Sequence, residues 1–79
     1  MEEIKKLIIE KITELQPYVD FDEDTQLLQE DVLDSVSVLV LVQDLEEEYN
    51  ITIQAEEITG SNFDSVVAIA NLIQLKISC

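Results

Sequence analysis

The sequence predicts an all-α fold, a small three-to-four-helix bundle with a long loop between its first and second helices. Three observations carry that expectation. Apolar residues recur at helical spacing in three long segments. The 79 residues include one glycine and one proline, so helix breakers are scarce. The hydrophobic fraction of 47% is ample for one packed core. A chain of this size buries only about 60% of its extended surface, so its helices must pack well.

The first helix is expected over about 2–16. Ile4, Leu7, Ile8, Ile12 and Leu15 share one stripe, with Glu10, Thr13 and Glu14 outside it. Lys11 falls inside the stripe, and its stem should lie along apolar surface with the ammonium reaching water. Pro17 ends the helix, because Gln16 before a proline is pushed out of the α region.

Residues 17–34 form the long connection, which needs its own anchors to be ordered; Val19, Phe21, Leu27, Leu28 and Leu33 are suited to that role. The same stretch supplies an alternative functional reading, an acidic calcium-binding protein. Asp20, Asp22 and Asp24 occupy positions 1, 3 and 5 of a calcium loop, with Leu27 at position 8. Against it, Thr25 stands at position 6, where the sharp turn wants glycine, and Asp31 at position 12 is shorter than the bidentate glutamate usual there. Pro17 also breaks the helix that should lead into such a loop. A solvated acidic loop is the reading these residues favour.

Asp34 and Ser35 are both helix N-cap residues, whose side-chain oxygens can accept from the unpaired amides of a first turn. The second helix is expected over about 35–49. Val36, Val38, Val40 and Val42 alternate as a buried strand would. At about 100° per residue, however, Val38, Leu41, Val42, Leu45 and Tyr49 fall on one face, with Val36, Val40, Gln43 and Glu47 opposite. Fifteen residues without Gly or Pro are long for a strand. Asn50 is an acceptable C-cap.

Ile51-Thr52-Ile53 reads as an extended link. A short helix is expected over about 55–59, ended by Gly60, with Ile53 and Ile58 plugging the core. Ser65 caps the last helix, about 65–77, and Phe63 anchors its start. Val66, Ile69, Ala70, Ile73 and Ile77 make its inward stripe, leaving Asn71, Gln74 and Lys76 outside. With no internal repeat, linker or low-complexity stretch, residues 1–79 are expected to be a single domain.

Composition restricts the chemistry. Eighteen Asp and Glu against four Lys give a formal charge of −14, which repels nucleic acid and anionic membrane surfaces and calls for basic partners. No apolar run reaches transmembrane length, and Met1-Glu2-Glu3 is acidic where a signal peptide would be basic. The lone Cys79 cannot close an internal disulfide, which fits a cytoplasmic protein, and nothing near it in sequence would activate an exposed thiol. With no histidine, no arginine and one cysteine, neither a Ser-His-Asp nor a Cys-His site can be assembled, nor an ordinary zinc site. The expectation is a protein with no catalytic residues and no metal of its own.

What remains is Ser35, a surface hydroxyl at the positive end of a helix, suited to bear a phosphate. Leu33-Asp34-Ser35-Val36 opens a helix that closes with Leu45-Glu46-Glu47-Glu48-Tyr49-Asn50-Ile51. Ile53 and Asn62-Phe63-Asp64-Ser65-Val66 follow. Over nearly its whole length the chain resembles an acyl carrier protein. The resemblance implies a bundle of the acyl-carrier type, not an enzyme, in which Ser35 carries 4′-phosphopantetheine and the thiol of that group holds an acyl or aminoacyl cargo as a thioester. Asp34 matches the motif aspartate beside the metal and cofactor of the modifying phosphopantetheinyl transferase.

The resemblance further implies that partners read the second helix through a small apolar patch ringed by carboxylates; the residues placed for this here are Val36, Leu39, Val40, Gln43, Asp44 and Glu47. Those partners are the transferase, an acyl- or aminoacyl-loading ligase and downstream transferases with basic surfaces, acting on a monomer. The pathways served by such carriers are of fatty acid, polyketide, nonribosomal peptide or D-alanylation type. Val36 stands where the family usually has leucine or methionine, and Val40 where fatty-acid carriers often have glutamate. The Gly-Gly-Asp-Ser pattern of modular synthetases is absent. Val32-Leu33-Asp34-Ser35 and Asn62-Phe63-Asp64-Ser65-Val66 look more like discrete D-alanyl or other aminoacyl carriers.

Overall fold

The structure, a computed structural model, describes residues 2–78; the expected free thiol of Cys79 lies outside them. Four α-helices and one 3-10 turn make up the fold, with no strand among the described residues: α1 (Glu2–Leu15), α2 (Ser35–Tyr49), the 3-10 turn Ala55–Glu57, α3 (Gly60–Phe63) and α4 (Val66–Ser78). This is the all-α bundle expected, with a long loop between the first two helices. α1 packs against both α2 and α4, and α3 against α4.

α1 begins with Glu2 and Glu3 in its first turn, where carboxylates offset the helix dipole. It buries Ile4, Ile8 and Ile12, while Leu7 at the edge of the stripe is only half-buried. Lys11 is largely covered, and its Nζ lies 4.0 Å from Glu48 Oε1 at the end of α2. The Gln16 amide still donates to the Ile12 carbonyl at 2.8 Å before Pro17 turns the chain away.

The loop is held by side chains and by backbone. Leu27 and Leu33 are fully buried, and Phe21 and Leu28 pack partly against the core. Two positions differ from expectation. Val19 is 38% exposed and anchors nothing, whereas Val32 is buried. Adjacent Val32 and Leu33 both face inward because the chain bends at these two residues, just after the left-handed Asp31 (φ 59°), and so lacks the alternation of an extended strand. The Leu27 amide donates to the Asp64 carbonyl at 2.7 Å, the Leu33 amide to the Leu27 carbonyl at 3.0 Å, and the Val67 amide to the Glu23 carbonyl at 3.3 Å.

α2 resolves the strand-or-helix ambiguity of its valines. Val38, Leu41, Val42 and Leu45 are buried, and Tyr49 is half-buried against them. Asn50 ends the helix in the left-handed conformation, φ 54° and ψ 51°, its amide donating to the Glu46 carbonyl. The Glu46 side chain then accepts from the Ile53 amide at 2.8 Å, which directs the link back to the core, where Ile53 is buried and Ile58 partly so.

Gly60 starts a helix here, contrary to the expectation that it would end one. Thr59 is extended, and its hydroxyl accepts from the Asn62 amide at 3.2 Å, so a cap precedes the glycine and α3 forms after it. Ser65 Oγ accepts from the Ala68 amide at 3.1 Å and opens α4. Val66, Ile69, Ala70 and Ile73 are buried as expected, and so is Leu72; Ile77 is exposed. It lies on the arc of Ile73 but one turn further on, where the core has ended. Lys76, expected outside, is drawn down by Glu57.

Candidate functional site

Asp34 and Ser35 form the junction of the anchored loop with α2. Asp34 is extended, φ −112° and ψ −176°, and its Oδ1 accepts from the Ser37 amide at 2.8 Å. That bond, joined by one from the Ser37 hydroxyl, holds the Asp34 carboxyl below its ordinary value of 3.8. The cap is therefore ionised near neutral pH and occupied by the first turn. Ser35 is the first helical residue and is exposed, and its hydroxyl enters no hydrogen bond among those of the described residues. A free hydroxyl thus stands at the amino end of a 15-residue helix, where the aligned peptide dipoles favour an anion.

Beside Ser35 lies a cleft of about 270 Å³. Ser35, Val38 and Leu39 form one wall, and Ile58, Thr59 and Gly60 face them. Sequence reasoning did not find this cleft. It joins segments far apart in the chain, and no local pattern signals it. A larger open depression on α1, lined by Glu2, Lys5, Ile9 and Glu23 among others, includes neither Asp34 nor Ser35.

Along α2, the residues expected to meet partners lie on the outer face. Val36 is 70% exposed, Leu39 53% and Val40 38%, and Gln43 and Glu47 are exposed beyond them; Asp44 is half-buried. The apolar side chains are thus nearest the serine and the polar ones further along the helix.

Asp20, Asp22 and Asp24 are not gathered as a metal site. Asp22 Oδ1 accepts from the Asp24 amide and from Thr25 Oγ1, each at 3.0 Å, so its carboxylate closes a local turn. Among the described residues no three Asp, Glu, His or Cys side chains stand close enough to hold an ion.

Residues 3–73 match the family described as the phosphopantetheine attachment site, and the chain belongs to that family. The protein is a phosphopantetheine-carrying carrier protein, of a kind that bears its covalently attached 4′-phosphopantetheine as a carrier of substrates and not as a catalyst. Carriers of this kind interact with modifying and loading enzymes. No described helix is long and apolar enough to cross a membrane. No curated protein matches the chain.

The residues at the start of α2 fit the group. The hydroxyl is accessible, the helix end favours a phosphodiester, and the adjoining cleft is walled mainly by apolar side chains.

Proposed function

We propose that Ser35 is the attachment residue and that residues 1–79 act as one carrier domain, passing an acyl or aminoacyl cargo between partner enzymes. The observation that carries this reading is the free, exposed Ser35 hydroxyl at the start of α2 in a chain of this family. When attached, the group supplies a thiol that holds the cargo as a thioester.

In the modification step, Ser35 Oγ attacks the pantetheine-bearing phosphorus of coenzyme A. The new O–P bond forms as the bond to 3′,5′-ADP breaks, and the hydroxyl proton leaves to a base. That base belongs to the phosphopantetheinyl transferase. This chain has no histidine, and the one carboxylate adjoining the serine in sequence, Asp34, is held in its ionised form by Ser37 and is a weak base. Asp34 instead contributes a fixed negative charge facing the transferase's metal, and it keeps the helix start in register.

Val36, Leu39 and Val40, with Gln43, Asp44 and Glu47, form the face that the transferase, a loading ligase and downstream transferases with basic surfaces would read. The protein works as a monomer in the cytoplasm in this reading, which its lone cysteine and strong negative charge support. The Asn62-Phe63-Asp64-Ser65-Val66 run favours an aminoacyl cargo of the D-alanyl type, delivered by an adenylating ligase.

Intact-mass measurement tests the attachment. With a broad-specificity transferase, coenzyme A and magnesium, the chain gains one phosphopantetheinyl group and Ser35→Ala gains none. An unchanged wild-type mass, or a group added to Ser35→Ala, sinks the assignment.

A further inference from the structure

The chain has a single glycine, and nothing inside the chain requires it. Gly60 does not adopt a positive φ, so no conformation reserved for glycine is in use. A Cβ built on it meets no heavy atom within 4 Å, so no close approach of backbone or side chain excludes a larger residue. Thr59 already provides the cap of α3. Alanine at a helical position loses less entropy on folding than glycine, so for the fold alone a glycine here is the poorer choice.

What distinguishes Gly60 is the space it leaves open. It borders the cleft shared with Ser35, Leu39 and Ile58, and it also borders a second depression of about 270 Å³ that reaches Gln29 and Asp64. Gly60 and Leu28 line both depressions, and Gly60 adds no side chain where they adjoin. A side chain grown from this position would enter open space there.

We infer that Gly60 is a positioning residue whose missing side chain keeps clear the path taken by the pantetheine arm as it leaves Ser35. The inference deepens the assignment of Ser35 as the attachment residue and rests on it. The chemistry of the arm matches the surface in order. The phosphodiester belongs at the exposed amino end of α2. The next part is a carbon bearing two methyl groups, the first apolar element within reach, and Leu39 and Ile58 offer it apolar contact across the cleft. Amide groups follow, and at Gly60 they can approach backbone with no side chain intervening. A long side chain at position 60 obstructs that path while leaving the fold intact.

The test uses the full chain as wild type, Gly60→Ala, Gly60→Leu and Gly60→Gln, each treated with a broad-specificity transferase, coenzyme A and magnesium. Intact mass reports the attachment, a thermal melt reports the fold, and nuclear Overhauser contacts from the arm's paired methyl groups to Leu39 and Ile58 report seating. The expected result is one group on every variant, a Gly60→Ala melt at or above that of wild type, and methyl contacts present in wild type but lost in Gly60→Leu and Gly60→Gln. The glutamine variant guards against a leucine that folds back into the cleft by itself. Three outcomes overturn the inference alone, with one group still added to wild type: no methyl contacts in wild type, contacts retained in both bulky variants, or a Gly60→Ala that melts well below wild type. A wild-type chain that gains no group overturns the attachment assignment and this inference with it.

Discussion

Lys76 Nζ on α4 lies 2.5 Å from Glu57 Oε1, which also accepts from the Gln54 amide at 2.9 Å, so one carboxylate ties the last helix to the 3-10 turn. Those two hydrogen bonds, first the one from Lys76, hold the Glu57 carboxyl below its ordinary value of 4.5. A carboxyl lowered on folding contributes stability that is fully present above its unfolded value and is lost as pH falls through the lower folded one. Lys76→Met is therefore expected to melt below wild type at pH 7, and the gap should narrow steadily below pH 4.5. Melts across that range check it; a gap independent of pH would assign the loss to packing of the lysine stem.

At the helix start, asparagine and alanine separate the two roles of Asp34. Asn can still accept from the Ser37 amide, so Asp34→Asn should melt near wild type and Asp34→Ala lower. If Ser35 is the attachment residue as proposed, phosphopantetheinyl transfer should slow in both, because both lose the negative charge. If Asp34→Asn is modified at the wild-type rate, the residue serves only as a cap.

Val40 and Leu41 are neighbours with opposite surroundings, one 38% exposed and the other fully buried. Val40→Asp is expected to change stability by no more than about 0.5 kcal/mol, whereas Leu41→Ala should cost about 2–5 kcal/mol by emptying a core position. Denaturant titrations measure both. In the carrier reading, Val40→Asp also slows loading of cargo onto protein already modified at Ser35, and a wild-type loading rate would remove Val40 from the contact face.

Asn50 holds the left-handed end of α2, and its replacement tests the backbone alone. Asn50→Ala should cost about 1 kcal/mol, since a β-carbon with no polar side chain disfavours that conformation. Asn50→Gly should match or exceed wild type. Equal melts for the two would mean that the turn relaxes out of the left-handed region.

The helices were legible because period alone separates faces: Ile8 from Glu10 in α1, and Leu41 from Val40 in α2, need no knowledge of a partner surface. Asp34 was legible as a cap because capping is local, a side chain meeting an amide three residues on. The loop was less so. Val19 and Val32 look alike in sequence, and the second is buried where the chain bends after the left-handed Asp31, a course no apolar pattern announces. Gly60 misleads as a stop signal because glycine commonly ends helices, whereas Thr59 one residue earlier caps the start of one. The cleft beside Ser35 was invisible for a deeper reason: Val38 and Ile58 meet only after the chain has closed on itself.

The backbone bonds from Leu27 to Asp64 and from Val67 to Glu23 fasten the long loop to the junction of α3 and α4, and Leu33 is pinned to Leu27 just before the helix begins. Mechanically, Ser35 follows within two residues of a segment tied to the body of the domain. In the proposed reading Ser35 is the root of the load, and that root is tied down with it. With the load rooted at Ser35, reach comes from the rotatable bonds of the attached arm and from the tumbling of the whole domain, while the protein serves as a fixed bearing.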